Sequence, residues 1–249
     1  MPDPGTNVSK SIKLAPGRET SMGMSAMGKS HLVEEGIYRV PLILSPSLKP
    51  RRRQFEQTLL AAQRRIVRFA DKHGWKDLTK QSFFDRARIF DANADFDEAL
   101  AGVAGLPLST VFPKTYSAAL ESRVLMAVSP ELYAENYPEG VEKDSFEKLL
   151  AHEIAHRLHI RILKGNEDAM GPTWFYEGFA TYAADQFEEL THDLKTSEIH
   201  EVLASEDRGG YRKYASVFRF FAEKAPIKEL IEQASQKDFS TRLSSLISL

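Results

Sequence analysis

His152, Glu153 and His156 fall close together in the stretch LLAHEIAHRLH (149–159), in a chain that holds 7 histidines altogether. On an α-helix successive residues advance by roughly 100°, so His152 and His156 sit about 40° apart on neighbouring turns, where both imidazoles reach a common ion. Glu153 falls on the flank of that face. It is turned too far to join the same coordination, yet it can reach a water held by the ion, which is the placement a general base needs. The apolar flank of Leu149, Leu150, Ile154, Ala155 and Leu158 predicts a buried helix, and two histidines on a buried helix require partners. The pattern therefore predicts a zinc site. With 0 cysteines in the chain, its ligands must be imidazole and carboxylate.

Two imidazoles are one ligand short of a hydrolytic zinc site, which takes three protein ligands and a water. In one zinc-protease pattern the third ligand follows the second histidine by six residues; here that position holds Ile162. His159 lies a turn beyond the pair and reads as a packed or hydrogen-bonding residue. Glu177, in GPTWFYEGFATYAADQF (171–187), is the better third ligand. Pro172 or Thr173 opens a second helix there, Glu177 falls in its first two turns, and Gly178 permits the backbones of this helix and the motif helix to approach closely. About twenty residues separate His156 from Glu177, enough for a loop and an antiparallel return.

The H-E-x-x-H motif followed by W-F-x-E-G-x-A resembles the gluzincin metallopeptidases, the superfamily of thermolysin and the aminopeptidase-N family, over roughly residues 85–225. The resemblance implies an α+β zincin-like fold: a small mixed sheet with an exposed edge strand packed on the motif helix, then a mainly helical C-terminal half. It implies a zinc metallopeptidase in which His152, His156 and Glu177 bind the metal. Glu153 would take a proton from the activated water and return it to the leaving amine.

YRKYASVFRF (211–220) is similar to an aminopeptidase-N stretch whose tyrosine hydroxyl stabilises the oxyanion. That maps onto Tyr211, with Tyr214 in the place of a glycine and able to exchange roles. RVLMAV (123–128) is expected to be the edge strand that receives an extended peptide, with Met126 and Ala127 against the substrate. AALES (118–122) echoes an amine-anchoring motif through Glu121. Thr181 stands where thermolysin-like sites carry an aspartate behind the first histidine, so the orienting partner is a different residue. Besides peptide hydrolysis in general, two alternatives stand: an aminopeptidase using Glu121 to hold the substrate amine, and a module that keeps zinc and binds peptide without turnover.

These residues need elements to position them. Phe55, Leu59, Ala62, Ile66 and Phe69 recur at helical spacing between Pro50 and Gly74, predicting a long amphipathic helix. ARIFDA and SRVLMAVSP read as strands, DFDEALAGVAG as a short helix, and 144–163, 172–190, 211–224, 227–236 and 239–248 as helices. Asp144 or Ser145 is expected to cap the motif helix and Gly165 to end it. Residues 1–45 read as a flexible or loosely packed segment that includes Met22, Met24 and Met27 and ends in a short apolar run, GIYRVPLIL (36–44), compatible with a strand. Residues 46–249 then form the metallopeptidase domain, sheet-containing to about 165 and helical after it.

The 249 residues are 42% hydrophobic, enough for one sizeable core. A net charge of -2 argues against nucleic acid or an anionic membrane as partner. The arginines at 51–53, 64, 65 and 68 read as a solvated helix face. No export signal or membrane span is visible, so the expected partner is a peptide or protein substrate and the expected setting cytoplasmic.

Overall fold

A computed structural model describes residues 30–189, 194–205 and 209–247 of the chain. The methionines at 22, 24 and 27, and most of the N-terminal lead segment, lie outside the described residues.

Strand β1 (His31–Glu34) pairs antiparallel with β2 (Ile37–Arg39) about Gly36, whose φ of 78° suits a residue without a Cβ. Next come β3 (Leu42–Leu44), a 3-10 turn over Pro46–Arg51, and α1 (Arg52–Lys72). All five apolar positions of the expected periodicity are buried in α1. Gly74 follows its end at φ 77°.

Strand β4 (Arg86–Phe90), helix α2 (Asn93–Ala104), β5 (Ala118–Glu121) and β6 (Val124–Val128) complete a sheet of order β3-β4-β6-β5. The first three strands in that order are parallel, and β5 runs antiparallel to β6. Helix α2 covers the face that carries Phe90, with Phe96 edge-on to it at 6.0 Å.

Two expectations change here. The segment 123–128 is not an edge: β6 is paired on both sides, and all five of its residues are buried. Five consecutive apolar residues are the mark of a strand covered on both faces. The edge next to β6 is β5. The folded part also begins before residue 46, because β3 is a strand of the central sheet with Leu42 and Leu44 in the core.

Beyond the sheet the described elements are helical: α3 (Pro130–Asn136), α4 (Ser145–Ile162), α5 (Thr173–Ala183), α6 (Thr196–Ala204), α7 (Tyr211–Lys224), α8 (Ile227–Gln233) and α9 (Phe239–Ile247). The architecture is mixed α+β. Pro130 opens α3 as well as closing β6, because Ser129 caps that helix by accepting from the Leu132 N–H at 3.2 Å. At α4 the expected side-chain cap does not form; Asp144 adopts φ 57° and makes no capping bond.

Helices α1 and α4 pack together, and α4 also lies against β5 and β6. Behind α5, an aromatic layer fixes α7 and α9. Phe175 meets Phe218 at 5.3 Å and Phe239 at 5.1 Å, and Trp174 stacks on Phe239 at 6.2 Å. Each such pair contributes about 0.5–1.5 kcal/mol beyond area burial. Gly178 serves this packing: a Cβ there would stand 2.8 Å from the Cβ of Phe218 and 2.9 Å from the Tyr214 carbonyl. The close approach it permits is therefore to α7, not to the motif helix as the sequence suggested.

Among the described residues, no helix is long and apolar enough to cross a membrane.

Candidate metal centre

Leu150, Ala151, Ile154, Ala155 and Leu158 are wholly buried and seat α4 in the core. His152 is carried inward with them, and His156 one turn later stays half-buried. Helix α5 starts after Pro172, whose extended backbone (ψ 159°) makes the turn into the helix, and brings Glu177 to the same point with no exposed surface.

The three side chains converge. His152 Nε2 lies 3.0 Å from Glu177 Oε2 and 3.0 Å from His156 Nε2, and His156 Nε2 lies 3.4 Å from the same carboxylate oxygen. Bonds of 2.0–2.1 Å from a tetrahedral zinc separate its ligands by roughly 3.3 Å, so this triangle fits one such ion. The donor set fits it too. Two imidazole nitrogens facing each other share one hydrogen bond at most, whereas a cation satisfies both lone pairs and also compensates a buried carboxylate.

The electrostatics favour positive charge at this point. Burial alone pushes the His152 imidazole toward neutrality. The Glu177 carboxylate, by hydrogen bond and charge, together with the Glu153 charge and the Gln186 bond, outweighs burial and holds the pKa above the ordinary histidine value. Protons and metal ions compete for such a site.

Glu153 is half-buried beside the triangle, close enough for its charge to act on His152. Tyr211, at the start of α7, is edge-on to His152 at 6.1 Å, while Tyr214 is buried behind it, 6.3 Å ring to ring. Of the two tyrosines, Tyr211 is the one brought to the histidines. Tyr176 is edge-on to His156 at 5.9 Å, and Tyr137 meets Tyr211 at 6.1 Å. The sequence did not single out these last two, since aromatic residues at helical spacing read first as core.

Other expected residues lie elsewhere. The Glu121 carboxylate accepts from the N–H and hydroxyl of Ser122 in the β5–β6 turn and is outside the His/His/Glu cluster. Met126 and Ala127 are buried inside the sheet, paired to Arg88 and Ile89 on β4; the inner position of β6 removes them from any substrate surface. Thr181 donates to the Gly178 carbonyl at 2.8 Å, a bond within α5.

The residue behind the first histidine is Gln186, whose Oε1 lies 2.8 Å from His152 Nδ1. Nothing in the sequence marked it, because it belongs to no motif. His159 is sealed off, its ring 4.5 Å from Phe179 and 6.1 Å from Phe175, with neither nitrogen hydrogen-bonded among the described residues. Burial pushes its pKa down to about 3.

Comparison of the chain with protein families, with curated proteins and with solved structures gives no match.

Proposed function

We propose that this protein is a zinc-dependent peptidase with a zincin-like arrangement, hydrolysing peptide bonds with Glu153 as the general base. The observation that carries the reading is the convergence of His152, His156 and Glu177 from two helices onto one point, at ligand-to-ligand spacings suited to a tetrahedral ion, with Glu153 next to the first ligand on the same helix. The motif resemblance to gluzincins over the same residues supports it.

His152 Nε2, His156 Nε2 and Glu177 Oε2 would hold the ion. When bound, Zn2+ supplies Lewis-acid polarisation of water and of the scissile carbonyl. The remaining work falls to side chains. Glu153 accepts the proton of the attacking water on a carboxylate oxygen and delivers it to the departing amine nitrogen. Tyr211, whose ring is edge-on to His152, would offer its hydroxyl to the developing oxyanion. The outer side of β5, the end strand of the sheet next to β6, is the place where an extended substrate would add by main-chain pairing.

Metal analysis of the purified protein, paired with hydrolysis of a peptide mixture by wild type and Glu153→Gln, tests this. Bound zinc in both proteins, with turnover roughly 10²–10⁴-fold slower in the variant, is expected. Equal turnover by the two overturns Glu153 as base. Bound zinc with no wild-type turnover on any peptide of the mixture replaces the peptidase by the zinc-retaining peptide-binding module.

A further inference from the structure

The chain lacks a carboxylate at the expected place behind His152, and the structure shows what stands there. Gln186 is buried, 5% exposed, and its side-chain oxygen faces His152 Nδ1 at 2.8 Å. An imidazole that presents Nε2 to a cation carries its proton on Nδ1, so this bond has one sense: His152 Nδ1–H donates and Gln186 Oε1 accepts.

The backbone that carries Gln186 is held from several sides. The residues before and after it, Asp185 and Phe187, both sit in the left-handed region at φ 53° and 59°, a conformation unfavourable for bulky side chains that persists where the surroundings enforce it. The enforcing contacts come from distant parts of the chain. Arg65 on α1 donates from Nη1 to Asp185 Oδ2 at 2.6 Å and from Nη2 and Nε to Glu147 of α4 at 2.7 and 3.1 Å. The Phe187 N–H donates to Glu142 Oε1 at 3.0 Å, and the other oxygen of Glu142 is paired at 2.8 Å with the buried Lys148 of α4. The Gln186 N–H itself donates to the Thr181 carbonyl at 2.9 Å. Glu147 and Lys148 lie about one turn before His152 on the same helix, so the turn and the ligand share one frame.

We infer that Gln186 is the positioning residue of the metal centre. Its amide oxygen, set by a turn fastened to α1 and α4, fixes the tautomer and aim of His152 without placing a second negative charge behind the ligand. A carboxylate in that place would polarise the Nδ1–H more strongly, make Nε2 more basic and tighten the ion. The neutral amide orients the ligand and leaves the ion less tightly held.

This inference rests on the metal reading above, and the test separates the two. Dissociation constants for Zn2+, by competition with a chelator, and the visible spectrum with Co2+ are measured on the full chain for wild type, Gln186→Leu and Gln186→Glu. Thermal unfolding of each metal-free protein is run alongside. Expected is a Zn2+ affinity roughly 10–100-fold weaker in Gln186→Leu, with Gln186→Glu binding as tightly as wild type or more tightly and shifting the Co2+ bands. Wild-type affinity in Gln186→Leu overturns the assignment, as does a Gln186→Glu protein as weak as the leucine variant. If Gln186→Leu does not fold, wild type and Gln186→Glu with identical Co2+ spectra and affinities overturn it. A wild-type chain that binds neither Zn2+ nor Co2+ removes the metal reading itself, and this positioning role with it.

Discussion

At His152 and His156, α4 faces a carboxylate from α5, an amide from the turn beyond it and a second carboxylate on its own flank; one turn further along, at His159, the same helix faces the rings of Phe175 and Phe179. The first environment holds the His152 pKa above the ordinary value and the second pushes that of His159 down to about 3. Two imidazoles on one helix, His152 and His159, are thus prepared for opposite tasks. The difference lies in what α5 presents along its length: Glu177 at one level, the ring of Phe179 at the other. A polar end that favours positive charge is built directly on a dry end that excludes it.

The same substitution at the two ends tests this contrast most strongly. His156→Phe removes one of the three converging side chains of the proposed zinc centre, and stoichiometric zinc binding in a metal-buffered titration is expected to vanish. His159→Phe three residues later is expected to bind zinc within about twofold of wild type, because His159 is not one of the three side chains of the cluster. Comparable losses in both would show that the two ends are not separate environments.

The second test is acid. His159 stays neutral in the folded chain down to about pH 3, whereas an unfolded imidazole takes up its proton near pH 6.5. The unfolded state therefore binds more protons as pH falls below 6.5, and stability drops with pH through that window. The loss reaches about 4 kcal/mol by pH 3.5, at 1.36 kcal/mol per pH unit. Urea unfolding of metal-free wild type and His159→Phe from pH 7 to 3.5 should show a gap that widens as the pH falls. Parallel curves would mean that His159 is not held neutral.

The smallest effect concerns the wall behind both ends. Gly178→Ala forces a methyl against Phe218 and the Tyr214 carbonyl and is expected to cost about 1–3 kcal/mol in urea unfolding. If the dry wall only supports the polar end, the variant's zinc affinity should fall by less than the Gln186→Leu change lowers it; a larger fall would tie Glu177 directly to α7.

Much of this was legible in residue order. The apolar spacing of Phe55, Leu59, Ala62, Ile66 and Phe69 gave α1, because helical period alone decides which face is buried. The interval between His152 and His156 fixed a shared face before any contact was known. Strand order was not legible: VLMAV says that a strand is buried, not which neighbours bury it, so β6 read as an edge until β4 and β5 were seen on both sides. Gly178 announced a close approach and was matched to the wrong helix, the motif helix instead of α7, because a missing Cβ carries no address.

By itself, then, the sequence determined the local facts that follow from helical and strand geometry: two imidazoles and a flanking carboxylate on one helix, a second carboxylate after a helix start, and no thiol to compete with them. Only the tertiary structure decided which groups stand behind those side chains. Gln186 reaches His152 through a left-handed turn held by Arg65, Glu142 and Lys148, side chains whose meeting depends on how α1, α4 and α5 pack. His159 is kept neutral by rings on another helix. Hydrogen bonds and desolvation act through space over a few ångströms, and residues far apart in the chain come within that range only when the core is assembled.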